Sequence, residues 1–282
     1  MKTGIIDVGG GFRDIYGAGV LDWCLDNGIA FDYCIGVSAG SANLCSYLSG
    51  QRGRNHRFYT EFIFRKAYAS LENFLSQRNY VNLDYAYSTL SNSDGEYPLD
   101  YPALAHNPAQ FIVVVCNAET GETVYFDKTH IAQDSYDVFK ASSALPMVCQ
   151  PYEVEGIKGL DGGISDPVPL EKAFADGCDR VVLILTRPLD QLREQKKDLL
   201  AARLLSRHYP LAAERLLNRY KTYNDGIALA KQYAALGKVL IIAPDDISGL
   251  STLTKSREKL EALYQKGLHD AQAIGAFLQQ TP

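Results

Sequence analysis

The sequence GVSAG at residues 36–40 has the G-x-S-x-G pattern of a nucleophile elbow. In such an elbow a strand enters a helix through a strained turn that exposes the serine hydroxyl, here that of Ser38. Gly36 and Gly40 allow close approach of two chain segments, and Ala39 completes the turn. The following helix would direct its free N–H groups toward negative charge forming beside the serine. The pattern indicates a nucleophilic serine, and the alternative is a tight turn without chemistry.

A second glycine-rich stretch, GGGFR at residues 9–13, lies between a predicted strand and a predicted helix. Successive glycines can turn several backbone N–H groups toward one point, which suits an anion or a developing oxyanion. A dinucleotide-binding loop is the alternative, because Asp32 lies at the spacing expected of a ribose-binding acid. That fingerprint needs a third glycine at position 14, where Asp14 would repel a pyrophosphate.

Four ordered stretches of the chain together resemble the patatin-like phospholipase family. The family pattern has a glycine-rich oxyanion loop followed by Arg, then a G-x-S-x-G elbow, then a catalytic Asp in an Asp-Gly-Gly turn. The matching stretches are GGGFR (9–13), GVSAG (36–40), ASSALP (141–146, similar to the family's segment before the Asp turn) and DGG (161–163). The resemblance covers roughly residues 4–186 and departs from the family at Asp14, where a glycine usually follows the arginine.

The resemblance implies particular roles for these residues. Ser38 would be the nucleophile and Asp161 its base, a dyad without histidine, and a partly buried carboxylate can accept the serine proton when desolvation raises its pKa. The implied oxyanion loop consists of Gly9, Gly10, Gly11 and Arg13, with the donors mainly at Gly10 and Gly11. The Asp turn would be completed by Gly162 and Gly163. The resemblance implies no metal and no organic cofactor.

A conventional Ser/His/Asp hydrolase shares the G-x-S-x-G pattern and is the nearest enzymatic alternative. Its elbow normally follows several strands, whereas only two predicted strands precede Ser38. Its histidine would have to be His208 or His269, in a predicted helical region. The remaining histidines, which are typical of surface positions and form no ligand set, are His56, His106 and His130.

Apolar runs and turn residues predict the elements that position these groups. Strands are expected at residues 4–8 and 31–36 and helices at 17–27 and 41–48, a β-α-β-α opening that favours a parallel sheet. The other expected elements are an antiparallel hairpin (111–117 with 123–126), strands at 180–186 and 238–243, and helical regions at 189–236 and 255–279. These elements predict an α/β fold with a mainly parallel sheet and a helical C-terminal extension, and the resemblance implies a three-layer α/β/α patatin-like core. We place the catalytic core at residues 1–188 and the extension at 189–282, with a strand near 239–243 that can rejoin the main sheet.

Composition excludes several classes of protein. The 282 residues are 46% hydrophobic and 22% charged with a net charge of −5, which is typical of a globular chain rather than a disordered one. The acidic balance argues against nucleic acid as a partner. The chain lacks a secretory signal and an apolar run long enough to span a bilayer, so we expect a cytoplasmic protein. The six cysteines show no metal-ligand spacing and are expected to be reduced thiols.

Two segments suggest a partner surface. Residues 52–68 interleave basic and aromatic side chains, which suits peripheral contact with an anionic membrane, although a helix with a buried aromatic face has the same pattern. Residues 187–238 hold 11 basic against 5 acidic side chains, which could meet phospholipid or pack against the acidic core. The sequence does not determine the oligomeric state.

We therefore expect a serine lipid acyl hydrolase that cleaves carboxylic esters of phospholipids or lysophospholipids through an acyl-serine intermediate. The alternatives are a soluble esterase or thioesterase with the same dyad, and a catalytically silent protein that binds lipid or an acyl chain.

Overall fold

One mixed sheet forms the centre of the protein in the computed structural model, which describes residues 1–279 and only the backbone of Gln77. The strands are β1 (Thr3–Asp7), β2 (Tyr33–Val37), β3 (Gln110–Asn117), β4 (Thr123–Asp127), β5 (Tyr152–Val154), β6 (Ile157–Asp161), β7 (Arg180–Ile184) and β8 (Val239–Ile242). Their order is β5-β6-β3-β2-β1-β7-β8, with β4 paired to β3. The run β3-β2-β1-β7-β8 is parallel, whereas β4, β5 and β6 pair antiparallel.

Helices cover both faces of this sheet. They are α1 (Ile15–Asp26), α2 (Ala39–Leu48), α3 (Arg54–Thr60), α4 (Leu71–Gln77), α5 (Tyr101–His106), α6 (Asp137–Ser142), α7 (Leu170–Ala175), α8 (Leu199–Leu205), α9 (Pro210–Ala235), α10 (Arg257–Asp270) and α11 (Gln272–Gln279). Adjacent residues of a strand face opposite sides, so Ile5 packs in the core under α1 and α10 and Ile6 in the core under α7 and α9. None of the helices within residues 1–279 is long and apolar enough to cross a membrane.

The α/β class, the mainly parallel sheet and the helical C-terminal region agree with the sequence prediction. The strand expected near 239–243 is β8, which pairs in parallel with β7 and so belongs to the main sheet. The hairpin of β5 and β6 was not predicted, although β6 ends at Asp161. The region 189–236 is helical only in α8 and α9. The division of the chain at residue 188 stays a prediction.

The C-terminal helix α10 packs tightly on α1. A Cβ atom at Gly19 would collide with the backbone of Tyr264, and one at Gly267 would collide with the backbone of Tyr16. Across the same contact, the hydroxyl of Tyr264 donates to the buried Asp22 at 2.7 Å. These close approaches hold the C-terminal helices on the face of the sheet that also carries α2.

The aromatic side chains of residues 52–68 point largely inward. Tyr59, Phe62 and Tyr68 are buried, and Arg54 is buried as well, donating to the backbone of Tyr97 at 2.6 Å. This arrangement corresponds to the buried aromatic face that the same sequence pattern allowed.

Candidate active site

The turn between β2 and α2 carries Ser38 in the strained conformation of a nucleophile elbow. Ser38 has φ 56° and ψ −129°, and α2 begins at the next residue, Ala39. A side chain at Gly36 would collide with the backbone of Ser41, and one at Gly40 would collide with the backbone of Asp7. The two glycines of the motif are therefore required by close packing around the turn.

Ser142 at the end of α6 holds this turn against the sheet. The backbone N–H of Ser38 donates to Ser142 Oγ at 2.9 Å, and Ser142 Oγ donates to the carbonyl of Val114 at 2.7 Å. Two residues later, the carbonyl of Ala144 accepts from the backbone N–H of Asp161 at 3.0 Å. The segment 141–146, whose role the sequence left undefined, thus contacts both members of the predicted dyad.

Strand register brings Asp161 beside Ser38. Val37 is paired with Val114 on β3, and the next β3 residue, Val115, is paired with Asp161 on β6. The carboxyl group of Asp161 is buried, lines the same cavity as Ser38, and accepts from the backbone N–H of Gly163 at 2.9 Å. The loop must stay close to the sheet here, because a Cβ at Gly162 would collide with the backbone of Val114.

The surroundings of Asp161 change the basicity of its carboxylate. Burial raises the pKa of this carboxyl above its ordinary value, while the hydrogen bond from Ser38 and the charges of Arg219 and Arg193 lower it. A carboxylate with a raised pKa is a better proton acceptor than an exposed aspartate. Asp161 is thus suited to take a proton from Ser38.

The glycine loop presents free donors beside the serine. The N–H of Gly9 donates to Asp7 Oδ1 at 3.1 Å, whereas no described residue accepts from the N–H groups of Gly10 or Gly11. Gly10 and Gly11 have φ of 151° and 62°, so both need the backbone freedom of glycine. The buried side chain of Arg13 donates from Nε to the carbonyl of Gly10 at 3.5 Å, which agrees with a role in fixing the loop.

A buried pair of carboxyl groups, Asp7 and Asp14, supports the loop from below. Both side chains converge on Gly17, where a Cβ would lie 2.6 Å from Asp14 Oδ1 and 2.7 Å from Asp7 Oδ2. The amide of Asn43 donates to Asp7 Oδ2 at 3.4 Å. Burial raises the pKa of Asp7 to about 6, and burial together with the nearby Asp7 charge raises the pKa of Asp14 well above its ordinary value. Both carboxyl oxygens of Asp14 are buried without a hydrogen-bond partner among the described residues, so we expect Asp7 and Asp14 to share a proton.

This pair predicts a pH-dependent stability. A carboxyl whose pKa is raised by folding stabilises the protein fully below its unfolded value near 3.8, and this contribution is lost as the pH rises through the folded pKa. The amide of Asp14→Asn would donate to Asp7 without any shared proton. We expect its Tm at pH 8 to exceed that of the wild type by several degrees, since about 1 kcal/mol corresponds to roughly 2–4 °C in a domain of this size.

Thermal unfolding between pH 4 and pH 8 checks this expectation. The difference in Tm between Asp14→Asn and the wild type should grow with pH and be smallest at pH 4. Parallel Tm profiles for the two proteins would show that Asp7 and Asp14 do not share a proton.

Two cavities meet at Ser38. One, of about 100 Å³, is lined mainly by apolar and aromatic side chains, among them Phe58, Tyr68, Leu83 and Phe139. The other, of about 330 Å³, also contains Asp161 and several arginines. Ser38 therefore lies between an apolar space and a basic one.

None of the five histidines lines either cavity, so the Ser/His/Asp alternative finds no base beside Ser38. His269 is exposed and lies 3.2 Å from Asp270, and His208 is exposed beside Tyr209. The dinucleotide interpretation is also unsupported, because Asp32 accepts from the backbone N–H of Thr3 at 2.7 Å, at the opposite end of β1 from the glycine loop.

Two cysteines, Cys45 and Cys149, line the apolar cavity. All six cysteines are buried and unpaired, as expected of reduced thiols. Within the part of the chain that the structure describes, no group of three or more His, Cys, Asp or Glu side chains is arranged to hold a metal ion.

Comparison with known proteins places the chain in a family. The family model described as patatin-like phospholipase matches residues 8–174, well over half of the sequence, and the chain belongs to that family. A second model, described as a domain of unknown function (DUF6363), matches residues 209–279.

The similarity to individual proteins is low, at 30% sequence identity or less in the two comparisons below. The chain is 30% identical over 192 residues to the uncharacterized protein YjjU of Escherichia coli strain K12, a match that covers 66% of this chain and 52% of YjjU. The chain thus spans about half the length of this curated relative. Among solved structures, VipD from Legionella pneumophila aligns with a TM-score of 0.49 at 14% identity, covering 97% of this chain and 66% of VipD.

Proposed function

We propose that this protein is a serine acyl hydrolase that cleaves carboxylic esters of lipids with Ser38 and Asp161 as its catalytic dyad. The observation that carries the proposal is that a strained serine, Ser38, and a buried carboxyl with a raised pKa, Asp161, lie on the wall of the same cavity. Free backbone N–H groups at Gly10 and Gly11 line the same cavity as the dyad. Membership of the patatin-like phospholipase family supports a lipid ester as the substrate.

The proposed reaction has two steps. Ser38 Oγ attacks the ester carbonyl while Asp161 takes the hydroxyl proton, and the carbonyl oxygen becomes an oxyanion. The N–H groups of Gly10, Gly11 and Ala39 are proposed to bind that oxygen, and each such donor contributes a few kcal/mol on the usual scale. When the C–O bond to the alcohol breaks, the protonated Asp161 returns its proton to the leaving oxygen.

Water then completes the cycle. Asp161 removes a proton from a water molecule as its oxygen attacks the acyl-Ser38 carbonyl. Collapse of this second oxyanion releases a carboxylic acid and returns the hydroxyl proton to Ser38. In both steps Asp161 accepts and returns the proton, so the proposed reaction needs no histidine beside Ser38.

The apolar cavity is proposed to take the acyl chain. Its aromatic lining and its position next to Ser38 suit a chain that extends away from the ester carbonyl. This interpretation predicts a preference for long acyl groups, because each buried methylene contributes about 0.8 kcal/mol. Between butanoyl and decanoyl esters of one alcohol, kcat/KM should rise at least about 100-fold.

Hydrolysis of 4-nitrophenyl butanoate, decanoate and palmitate, each below and above its aggregation concentration, tests the lipid assignment. A lipid hydrolase should favour the longer esters and gain activity on aggregated substrate. Faster turnover of butanoate would instead support the soluble esterase or thioesterase alternative. Saturable decanoate binding without turnover by the folded protein would support the silent lipid-binding alternative.

A further inference from the structure

The cavity of about 330 Å³ beside the dyad is unusually basic. Ser38 and Asp161 lie on its wall with four arginines, Arg13, Arg187, Arg193 and Arg219. Its other charged lining residues are Lys197, Glu194 and Asp198. Arg13 comes from the glycine loop and Arg187 from the segment just after β7, whereas Arg219 lies on α9, in the region that matches the domain of unknown function. The C-terminal region thus contributes directly to the space around the serine.

Most of this positive charge has no counter-charge in the protein. Asp198 forms a two-pronged ion pair with Arg219, with one contact of 3.1 Å between Asp198 Oδ2 and Arg219 Nε. Among the described residues, no carboxylate lies within ion-pair distance of Arg13, Arg187 or Arg193. The Nε of Arg193 is buried and has no hydrogen-bond partner there either. Arg13 is buried, and Arg187 and Arg193 are half-buried. Because partly desolvated guanidinium groups without a carboxylate partner are costly, a cluster of three indicates a missing anion.

Burial, together with the neighbouring positive charges, lowers the pKa values of Arg13 and Arg193. Burial and the charge of Arg187 lower the pKa of Arg13 to about 10, and burial with the charges of Arg219 and Arg187 lowers the pKa of Arg193 to about 9. Both groups remain cationic at neutral pH. An anion that entered the cavity would relieve this repulsion.

The arginines are held in place before any ligand enters. The ring of Tyr223 lies 5.5 Å from the guanidinium carbon of Arg187 and 5.0 Å from that of Arg193, so it contacts both. The backbone of Arg193 is tied to the side chain of Asn224, which donates to its carbonyl at 3.1 Å and accepts from its N–H at 2.9 Å. A positioned guanidinium loses little entropy on binding a phosphoryl group.

We propose that Arg187 and Arg193, together with Arg13, bind the phosphoryl group of an anionic lipid headgroup, so that the substrate is a phosphate-bearing acylglycerol. This inference rests on the proposed function, because it identifies the substrate class of the same site. With the ester carbonyl at Ser38, the acyl chain enters the apolar cavity and the glycerol phosphate enters the basic one. An uncharged acylglycerol would leave the arginines unpaired.

A comparison of two esters that differ only in the phosphate tests the assignment. For 1-oleoyl lysophosphatidic acid and 1-oleoylglycerol, we measure kcat/KM and take their ratio within each variant, which cancels any effect of an arginine on Asp161. The wild type should favour the phosphate ester at least about tenfold, and Arg193→Ala and Arg187→Ala should each lower the ratio roughly 10- to 100-fold. Arg193→Lys should retain part of the preference. Arg203→Ala, an exposed change on α8, should keep the wild-type ratio.

An unchanged ratio in Arg193→Ala and Arg187→Ala, with activity on both esters falling equally, would overturn the proposal. It would mean that these arginines support only the fold or the dyad. The loss should appear mainly in KM, because the phosphate contact is made in the ground state as well as in the transition state.

Calorimetry on Ser38→Ala separates this inference from the proposed function. Tight binding of lysophosphatidic acid, with much weaker binding of 1-oleoylglycerol and inorganic phosphate, would support the headgroup site even if the wild type hydrolysed neither ester. Inorganic phosphate binding as tightly as the lipid would assign the arginines to free phosphate and overturn the headgroup proposal. Equal affinity for both lipids would also overturn it.

Discussion

Ser38→Ala is expected to lower kcat for a long-chain ester by at least about 10⁴-fold, the scale seen when a serine nucleophile is removed. The variant lacks the oxygen that forms the acyl bond, so only binding and the oxyanion donors remain to assist water. Stability should change little, because the backbone N–H of Ser38 still donates to Ser142 when the hydroxyl is removed.

Initial rates on 4-nitrophenyl decanoate, with Tm and circular dichroism measured alongside, check this expectation. Ser41→Ala is a matched control, since Ser41 lies on the same turn but its hydroxyl donates only to the carbonyl of Ser38 at 2.6 Å. Retention of more than a tenth of the activity by Ser38→Ala would place the nucleophile elsewhere.

Asp161→Asn should lower kcat by about 10⁴-fold, comparable to the loss when the acid of a serine triad is replaced. An asparagine keeps the size of the side chain and can accept the hydrogen bond from Gly163, but it cannot take a proton from Ser38. In the wild type, activity should fall as the pH drops through the pKa of Asp161, and the midpoint should lie above the ordinary value of 3.8.

Asp166→Asn is the control for this loss. Asp166 follows in the same turn and is a half-buried carboxyl with a raised pKa, but it accepts from the hydroxyl of Tyr125 at 2.6 Å and does not line either cavity. Asp166→Asn should retain most of the activity, although it can lower Tm. Equal losses in the two variants would indicate that the turn needs carboxylates for folding, and most activity remaining in Asp161→Asn would require a different base.

Local sequence patterns predicted the parts of the site that depend on backbone sterics. The G-x-S-x-G motif requires glycine where a Cβ would collide with Ser41 or Asp7, and the three loop glycines occur where φ is positive. Because such requirements act within a few residues, they are readable without knowledge of the fold. The apolar runs likewise located β1, β2, β3 and β7.

The interactions that join distant segments were not predictable from local pattern. Asp161 reaches Ser38 through the short strands β5 and β6, whose sequence has no strong apolar alternation. Nothing in the local sequence distinguishes Ser142 from other serines, and its hydrogen bonds to Ser38 and Val114 are seen only in the folded structure. The basic excess of residues 187–238 is evident from the sequence. That Arg187 and Arg193 line the cavity beside the dyad is evident only from the structure.

The surroundings of Asp14 also could not be predicted from local sequence. A carboxyl group after Arg13 departs from the family pattern, and the sequence alone gave no reason for it. The structure places Asp7 beside it, with Gly17 leaving space for both carboxyls. Asp7 ends β1 and Asp14 directly precedes α1, so the two carboxyls lie close together only because the intervening loop turns back on itself.

The most direct test of an activated Ser38 is the intact mass of the protein after treatment with a long-chain fluorophosphonate. Such a reagent forms a stable bond only with an activated hydroxyl, so the result does not depend on knowing the natural lipid. We predict one adduct on the wild type, none on Ser38→Ala and a strongly slowed reaction on Asp161→Asn. An unmodified wild-type protein that is demonstrably folded, or an adduct that persists in Ser38→Ala, would contradict the assignment of Ser38 as the nucleophile.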